Sequence, residues 1–190
     1  MTPNYILLDA ARLFVRIHEA TAINPEHRSL YEGRSEEPLA DLGPFLFTVP
    51  NDETFVNWYS SNGWGNAWGV LIETEASFDE LFEHFRNFLL VKTDEDKELY
   101  FRFYDPRVLK TFLPTCRKDQ LIQFFGPVDK FITEDNTKET AIEFSIKNRQ
   151  LYQRKLNTSL LSGTQPILSA ELSATTSGNG FVIIDDEMNK

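Results

Sequence analysis

Asp9, Asp105 and Arg107 are the groups best placed for polar chemistry, because each stands where an apolar run gives way to a helix-forming stretch. Convergent polar groups at strand ends are what a small-ligand-binding or hydrolytic α/β domain requires, and only these three qualify. Asp105 followed by Pro106 also has a simpler meaning. An acid before a proline is a helix start, with the carboxylate accepting orphan amides and the proline giving up a donor that has no partner there. Arg102, between Phe101 and Phe103, needs an anionic partner if it is desolvated, and Asp9 or Asp105 is expected to supply it as a structural ion pair. Arg107, on the first turn of the helix, is expected to face solvent and be open to a partner.

Other reactive groups are sparse. The chain has three histidines, His18, His27 and His84, in separate segments without the spacing of a helical metal pair. His84 falls on the polar side of its helix, where a solvated or dipole-facing imidazole is expected. Cys116 has Arg117 and Lys118 beside it, a setting that can lower a thiol pKa, but a lone thiol reads as a partly buried bystander. Gly63, Gly65 and Gly69 lie between a helix and a strand, the wrong order and spacing for a dinucleotide loop. They read instead as a helix end and a tight turn that set Trp64 and Trp68, either into the core, the favoured reading, or onto a contact surface. No cofactor or metal is expected.

The elements that must hold these groups alternate. Tyr5–Leu8 reads as a strand and Ala10–Glu19 as a helix. Phe45–Val49 reads as a strand after a polar loop over 24–38, then a helix capped by Asn51 or Asp52 and stopped at Asn62–Gly63. Trp68–Glu73 is a third strand. Ser77 and Glu80 then open the clearest helix, whose Phe78, Leu81, Phe82, Phe85, Phe88 and Leu89 recur on one face. Leu99–Tyr104 has the aromatic content of a strand, with Arg102 and Tyr104 on the face opposite Phe101 and Phe103. Helices over 106–113 and 117–125 and a short strand over 129–132 follow. This alternation predicts an α/β fold with a mixed, largely parallel sheet and flanking helices. Residues 141–161 fit a strand or a helix, and a helix over 145–160 is taken. The expected division is an α/β domain over 1–132, a smaller helical lobe over 133–161 and a tail over 162–190. In that tail Phe181 and Ile183 form an apolar run suited to a sheet edge, the chain's own or a partner's.

A chain of 190 residues with 41% hydrophobic residues and 16 Phe can bury one sizeable core. Nineteen basic residues against 29 acidic ones leave a net charge of −10, which disfavours a phosphate backbone as partner, so no nucleic acid is expected. The N-terminal stretch lacks the basic start and long apolar region of a signal peptide, no run approaches membrane-spanning length, and a single cysteine suits a reducing compartment. A cytoplasmic location without membrane contact is the expectation.

Six strings, in order, carry a family resemblance: L-L-D-A-A-R at Leu7–Arg12, R-S-L-Y-E-G at Arg28–Gly33, G-P-F-L-F at Gly43–Phe47, G-W-G-N-A-W-G at Gly63–Gly69, F-R-F-Y-D-P-R-V-L at Phe101–Leu109, and F-F-G-P-V at Phe124–Val128. Together they resemble the adaptor proteins, or effector chaperones, of bacterial type VI secretion systems. The resemblance implies a non-enzymatic cytoplasmic adaptor that holds a type VI effector and brings it to a VgrG-type spike protein. On that reading Asp9, Arg102, Tyr104, Asp105 and Pro106 are structural signature residues, and Arg107, Trp64, Trp68, Phe181 and Ile183 are candidates for protein contact. The ligand-binding or hydrolytic domain is the alternative.

Overall fold

Tyr5–Asp9 (β1) is an apolar run ending in an acid, and the sheet is built outward from it. The computed structural model describes residues 3–34, 37–50, 53–92 and 97–158, with the backbone of 172–174 and 182–183. After β1 come helices Ala10–Leu13 (α1) and Arg16–Ile23 (α2), strand His27–Ser29 (β2), a 3-10 helix at Glu37–Leu42, strand Pro44–Thr48 (β3), helix Glu53–Asn62 (α3) and strand Gly69–Glu73 (β4). Helix Phe78–Arg86 (α4), strands Leu90–Lys92 (β5) and Glu98–Tyr100 (β6), and helices Pro106–Phe112 (α5) and Lys118–Phe125 (α6) follow. Strands Lys130–Glu134 (β7), Thr140–Lys147 (β8), Gln150–Asn157 (β9), Leu172–Ala174 (β10) and Val182–Ile183 (β11) complete the described elements.

The eight-stranded sheet has the order β10-β9-β8-β7-β4-β1-β3-β2, and every pairing in it is antiparallel. The expected largely parallel sheet is therefore wrong. β3 starts opposite Asp9 and ends opposite Tyr5, while β4 starts opposite Leu8 and runs past Tyr5. So β3 and β4 run the same way, joined by α3 as a crossover unit, but β1 lies between them and opposes both. Alternation of strands and helices shows how the chain returns, not which strand fills the gap. β2, hidden in the stretch read as polar loop, adds the extra pass that lets β3 oppose β1.

The helical C-terminal lobe is also corrected. Residues 140–157 form the β8–β9 hairpin of the same sheet, and the division expected at 132 falls inside β7. Asn148 and Arg149 turn the hairpin with φ of 52° and 61°. Two positive φ values suit a type I′ turn, whose usual Asn-Gly signature is missing here. The strand expected over Leu99–Tyr104 ends at Tyr100, on the edge of a second sheet of order β11-β5-β6. Asn51, Asp52 and most of 159–190 lie outside the described residues.

Side chains alternate across the large sheet, giving each face its own core. Tyr5, Leu7, Val70, Ile72, Phe131 and Phe144 meet Leu81, Phe82, Phe85, Leu109, Leu121 and Phe124 of α4, α5 and α6. Ile6, Leu8, Phe45, Phe47 and Leu71 meet Leu13, Ile17, Phe55 and Tyr59 of α1, α2 and α3. Of the helix stripe expected around Phe82 and Phe85, Leu81, Phe82, Phe85, Phe88 and Leu89 are buried and Phe78 packs partly buried against them. Ser77 caps α4, accepting from the Glu80 amide at 3.3 Å.

Candidate functional site

The end of the sheet at which β1 stops gathers five of the six signature strings. The Asp9 amide donates to the Trp68 carbonyl at 2.8 Å and the Ala10 amide to the Gly43 carbonyl at 3.0 Å, so α1 begins between the starts of β3 and β4. Gly69 is required there, since a Cβ would come within 2.0 Å of the Leu7 carbonyl oxygen. Tyr31 packs against Gly43 from the neighbouring string. The sixth string lies at the opposite end, where the Thr74 hydroxyl reaches the Pro127 carbonyl.

At this end two guanidiniums stand on two buried carboxylates. Asp105 caps α5, accepting from the Arg107 amide at 2.9 Å, with Pro106 in the first turn. Its carboxylate also holds the Arg107 guanidinium, Nε to Oδ1 at 3.0 Å and Nη2 to Oδ2. Arg102 pairs with Asp9, one of the two partners expected for it. The side chains of Asp9 and Asp105 are 0% and 2% exposed, those of Arg102 and Arg107 41% and 56%. Burial outweighs Arg102 at Asp9 and holds that carboxyl above the usual range, with the Asp105 charge adding to the shift. Burial pushes Asp105 the same way, but hydrogen bonds from Arg107 outweigh it and hold the carboxyl below the usual range. Tyr104 is buried beside Tyr31 and Asp9, and its phenol is raised mainly by desolvation. The strand face expected to carry Arg102 and Tyr104 together does not form, because the strand ends at Tyr100.

Both Asp105 oxygens are engaged by Arg107, Asp9 Oδ2 is engaged by Arg102, and Asp9 Oδ1 is buried without a hydrogen-bond partner. The site thus turns its cations, not its carboxylates, toward solvent. An open groove of about 500 Å³ runs beside Arg107 over Val108, Thr111 and Phe112.

Trp64 and Trp68 both point into the core. Trp64 donates from Nε1 to the Lys138 carbonyl at 3.0 Å and packs edge-on against Tyr59, while Trp68 packs on Trp58 beneath Arg16. Their loop is organised by Glu134, a residue the sequence reading passed over. Its carboxylate accepts from the Gly65 amide at 2.7 Å and the Ala67 amide at 2.9 Å, and both residues have positive φ. Such paired amides form an anion-binding nest. The acid that fills this one comes from β7, too distant in the chain for any local signal.

His84 lies in the last turn of α4, where a dipole-facing histidine is expected, but it is not solvated: it packs against Phe85 and Phe88, its Nε2 lies 2.9 Å from the Phe124 carbonyl, and burial lowers its pKa. Cys116 is buried and desolvation pushes its thiol up to about 12, so the neighbouring Arg117 and Lys118 do not activate it. Ile183 lies in β11, opposite Val91 of β5, so this run pairs with the chain's own sheet; Phe181 lies outside the described residues. Among the described residues there is no group of three or more potential metal ligands, and no helix is long and apolar enough to cross a membrane.

No curated protein and no solved structure matches this chain. A family described as Domain of unknown function (DUF4123), associated with type VI secretion effector adaptors, matches residues 4–123, a span that includes every string gathered at the Asp9 end. The match covers well over half of the sequence, and the chain belongs to the DUF4123 family.

Proposed function

We propose that this protein is a non-enzymatic cytoplasmic adaptor that binds a type VI secretion effector and helps load it onto a VgrG-type spike. The observation that carries this reading is that five signature strings of a family associated with such adaptors meet at one end of the sheet. There they hold two arginines half-exposed on buried carboxylates. Anchored guanidiniums lose little entropy when a partner engages them, which favours protein recognition. The same pairing occupies the carboxylates that a hydrolytic site at the strand ends would use.

Co-expression with an effector and a spike protein tests the reading. Both are expected to co-purify with the chain, and Arg107→Ala is expected to weaken capture while leaving the fold intact. Failure of the unmodified chain to capture either protein, or capture unaffected by Arg107→Ala, refutes it or this assignment of Arg107 respectively.

A further inference from the structure

The second sheet, of order β11-β5-β6, leaves β6 as an edge strand. β6 pairs antiparallel with β5, with Tyr100 opposite Leu90, Leu99 opposite Val91 and Glu98 opposite Lys92. One step further along, the Phe101 amide donates to the Leu89 carbonyl at 2.9 Å. Hydrogen-bonded pairs alternate along an antiparallel ladder, so Phe101 and Leu99 turn their amides and carbonyls to β5, and Glu98 and Tyr100 turn theirs outward. No hydrogen bond among the described residues engages those outward groups. The β2 edge of the large sheet differs: the His27 amide donates to the Pro25 carbonyl at 3.1 Å and the Glu32 amide to the Ser29 carbonyl at 3.0 Å, local bonds that blunt that edge.

All three residues of β6 are exposed, Leu99 by 51% and Tyr100 by 57%. Glu98 and Tyr100 share one face of the strand and Leu99 takes the other. Lys92 stands opposite Glu98 on the β5 side, and no described residue stands opposite it on the open side. A basic residue there completes a basic, acidic, basic row across three strands, whereas an acidic one sets like charges directly opposite each other. Residues 92–98 carry four acids against two lysines, and both lysines already have partners within the chain. Phe101 and Arg102, the first residues of the F-R-F-Y-D-P-R-V-L string, follow β6 directly, so the open edge ends within about 7 Å of chain from an arginine of the candidate site.

We infer that the β6 edge takes up an extended segment of a partner protein as an added strand, with a basic side chain opposite Glu98 and an apolar one opposite Leu99. An extended backbone repeats its amides and carbonyls at the spacing of those the edge presents, and side chains on its alternate faces then select the sequence. The inference deepens the adaptor reading and rests on it for the partner's identity; the edge supplies the chemistry.

The probe is a short synthetic peptide of alternating lysine and valine, titrated into the full chain, with amide hydrogen exchange followed residue by residue by NMR. In the free chain the Glu98 and Tyr100 amides are expected to exchange at least tenfold faster than those of Leu99 and Phe101, and saturating peptide is expected to slow them at least tenfold. A peptide of alternating glutamate and valine is expected to bind at least tenfold more weakly. Tyr100→Pro deletes an outward amide and keeps the bonds to β5, and is expected to bind at least tenfold more weakly than Tyr100→Ala, which retains that amide. The inference is overturned by absence of binding, by binding that leaves the Glu98 and Tyr100 amides exchanging freely, or by equal binding of the two peptides or of the two variants. Protection of these amides in the free chain also overturns it, assigning the edge to a second copy if the protection grows with protein concentration and to the chain itself if it does not. If Tyr100→Pro lowers the melting temperature, Glu98→Lys carries the test: it is expected to shrink the preference for the lysine peptide at least tenfold, and an unchanged preference overturns the inference. The adaptor reading fails separately, when the unmodified chain captures neither effector nor spike.

Discussion

Arg102→Ala removes the counter-charge of a carboxylate with 0% exposure. Asp9 Oδ2 has Arg102 as its ion-pair partner, Oδ1 has no hydrogen-bond partner, and Asp105 adds a like charge nearby. Deleting one member of a buried pair costs about 3–5 kcal/mol. Arg102 is itself 41% exposed, so water screens part of the lost attraction, and about 2–3 kcal/mol is expected. For a chain of this size that is a fall of about 5–10 °C in melting temperature.

The pH dependence identifies the cause. The folded pKa of Asp9 is already raised, and loss of Arg102 raises it further. Between the unfolded and folded values the unfolded state has released this proton and the folded state retains it, so rising pH favours unfolding. The deficit of Arg102→Ala therefore shrinks as pH falls from 7 toward about 4, the ordinary aspartate range. Asp105 has the opposite sign: its folded pKa is lowered, so its contribution is present above the unfolded value and lost only as pH falls through the lowered one. Asp9→Asn in the Arg102→Ala background is expected to recover part of the loss at pH 7, because it removes the stranded charge. Thermal melts followed by circular dichroism at several pH values, on both single variants and the double, provide the measurement. A loss below about 0.5 kcal/mol at pH 7, or a deficit that grows on acidification, refutes the assignment of Asp9 as a buried charge dependent on Arg102.

Phe82→Ala and Phe85→Ala each empty a fully buried ring site and are expected to cost about 3–5 kcal/mol in chemical denaturation; losses under about 1 kcal/mol would place that helix face outside the core. Glu134→Ala leaves the Gly65 and Ala67 amides without their acceptor and is expected to cost about 2–4 kcal/mol, with tryptophan fluorescence reporting the loosened loop around Trp64 and Trp68. An unchanged spectrum and stability would show that Glu134 does not hold the loop. Cys116, with its thiol pushed up to about 12 inside the core, is expected to resist alkylation at pH 8 until the chain is denatured, and rapid labelling of the native protein would refute its burial.

The residues that cap and stripe the helices were legible because their partners lie within a turn. Ser77 reaches the Glu80 amide, Asp105 reaches the Arg107 amide, and the apolar face of α4 repeats at helical period. Such interactions are set by local geometry and survive any arrangement of the rest. The demand of Arg102 for a carboxylate was equally legible, as a desolvation argument; that Asp9 rather than Asp105 meets it depends on where β1 ends. Strand polarity was not legible. A strand–helix–strand unit looks the same whether its strands pair directly or admit a third between them, and the insertion of β1 between β3 and β4 is what replaces one parallel pairing by two antiparallel ones. The β8–β9 hairpin was hidden because Asn148 and Arg149 adopt its turn without the customary glycine, while the apolar spacing beside them suits either period. The hold of Glu134 on the Gly65 and Ala67 amides emerges only in three dimensions. The composition of each segment governs what that segment forms, whereas pairing order, burial and charge neighbours arise from contacts between residues far apart in the chain.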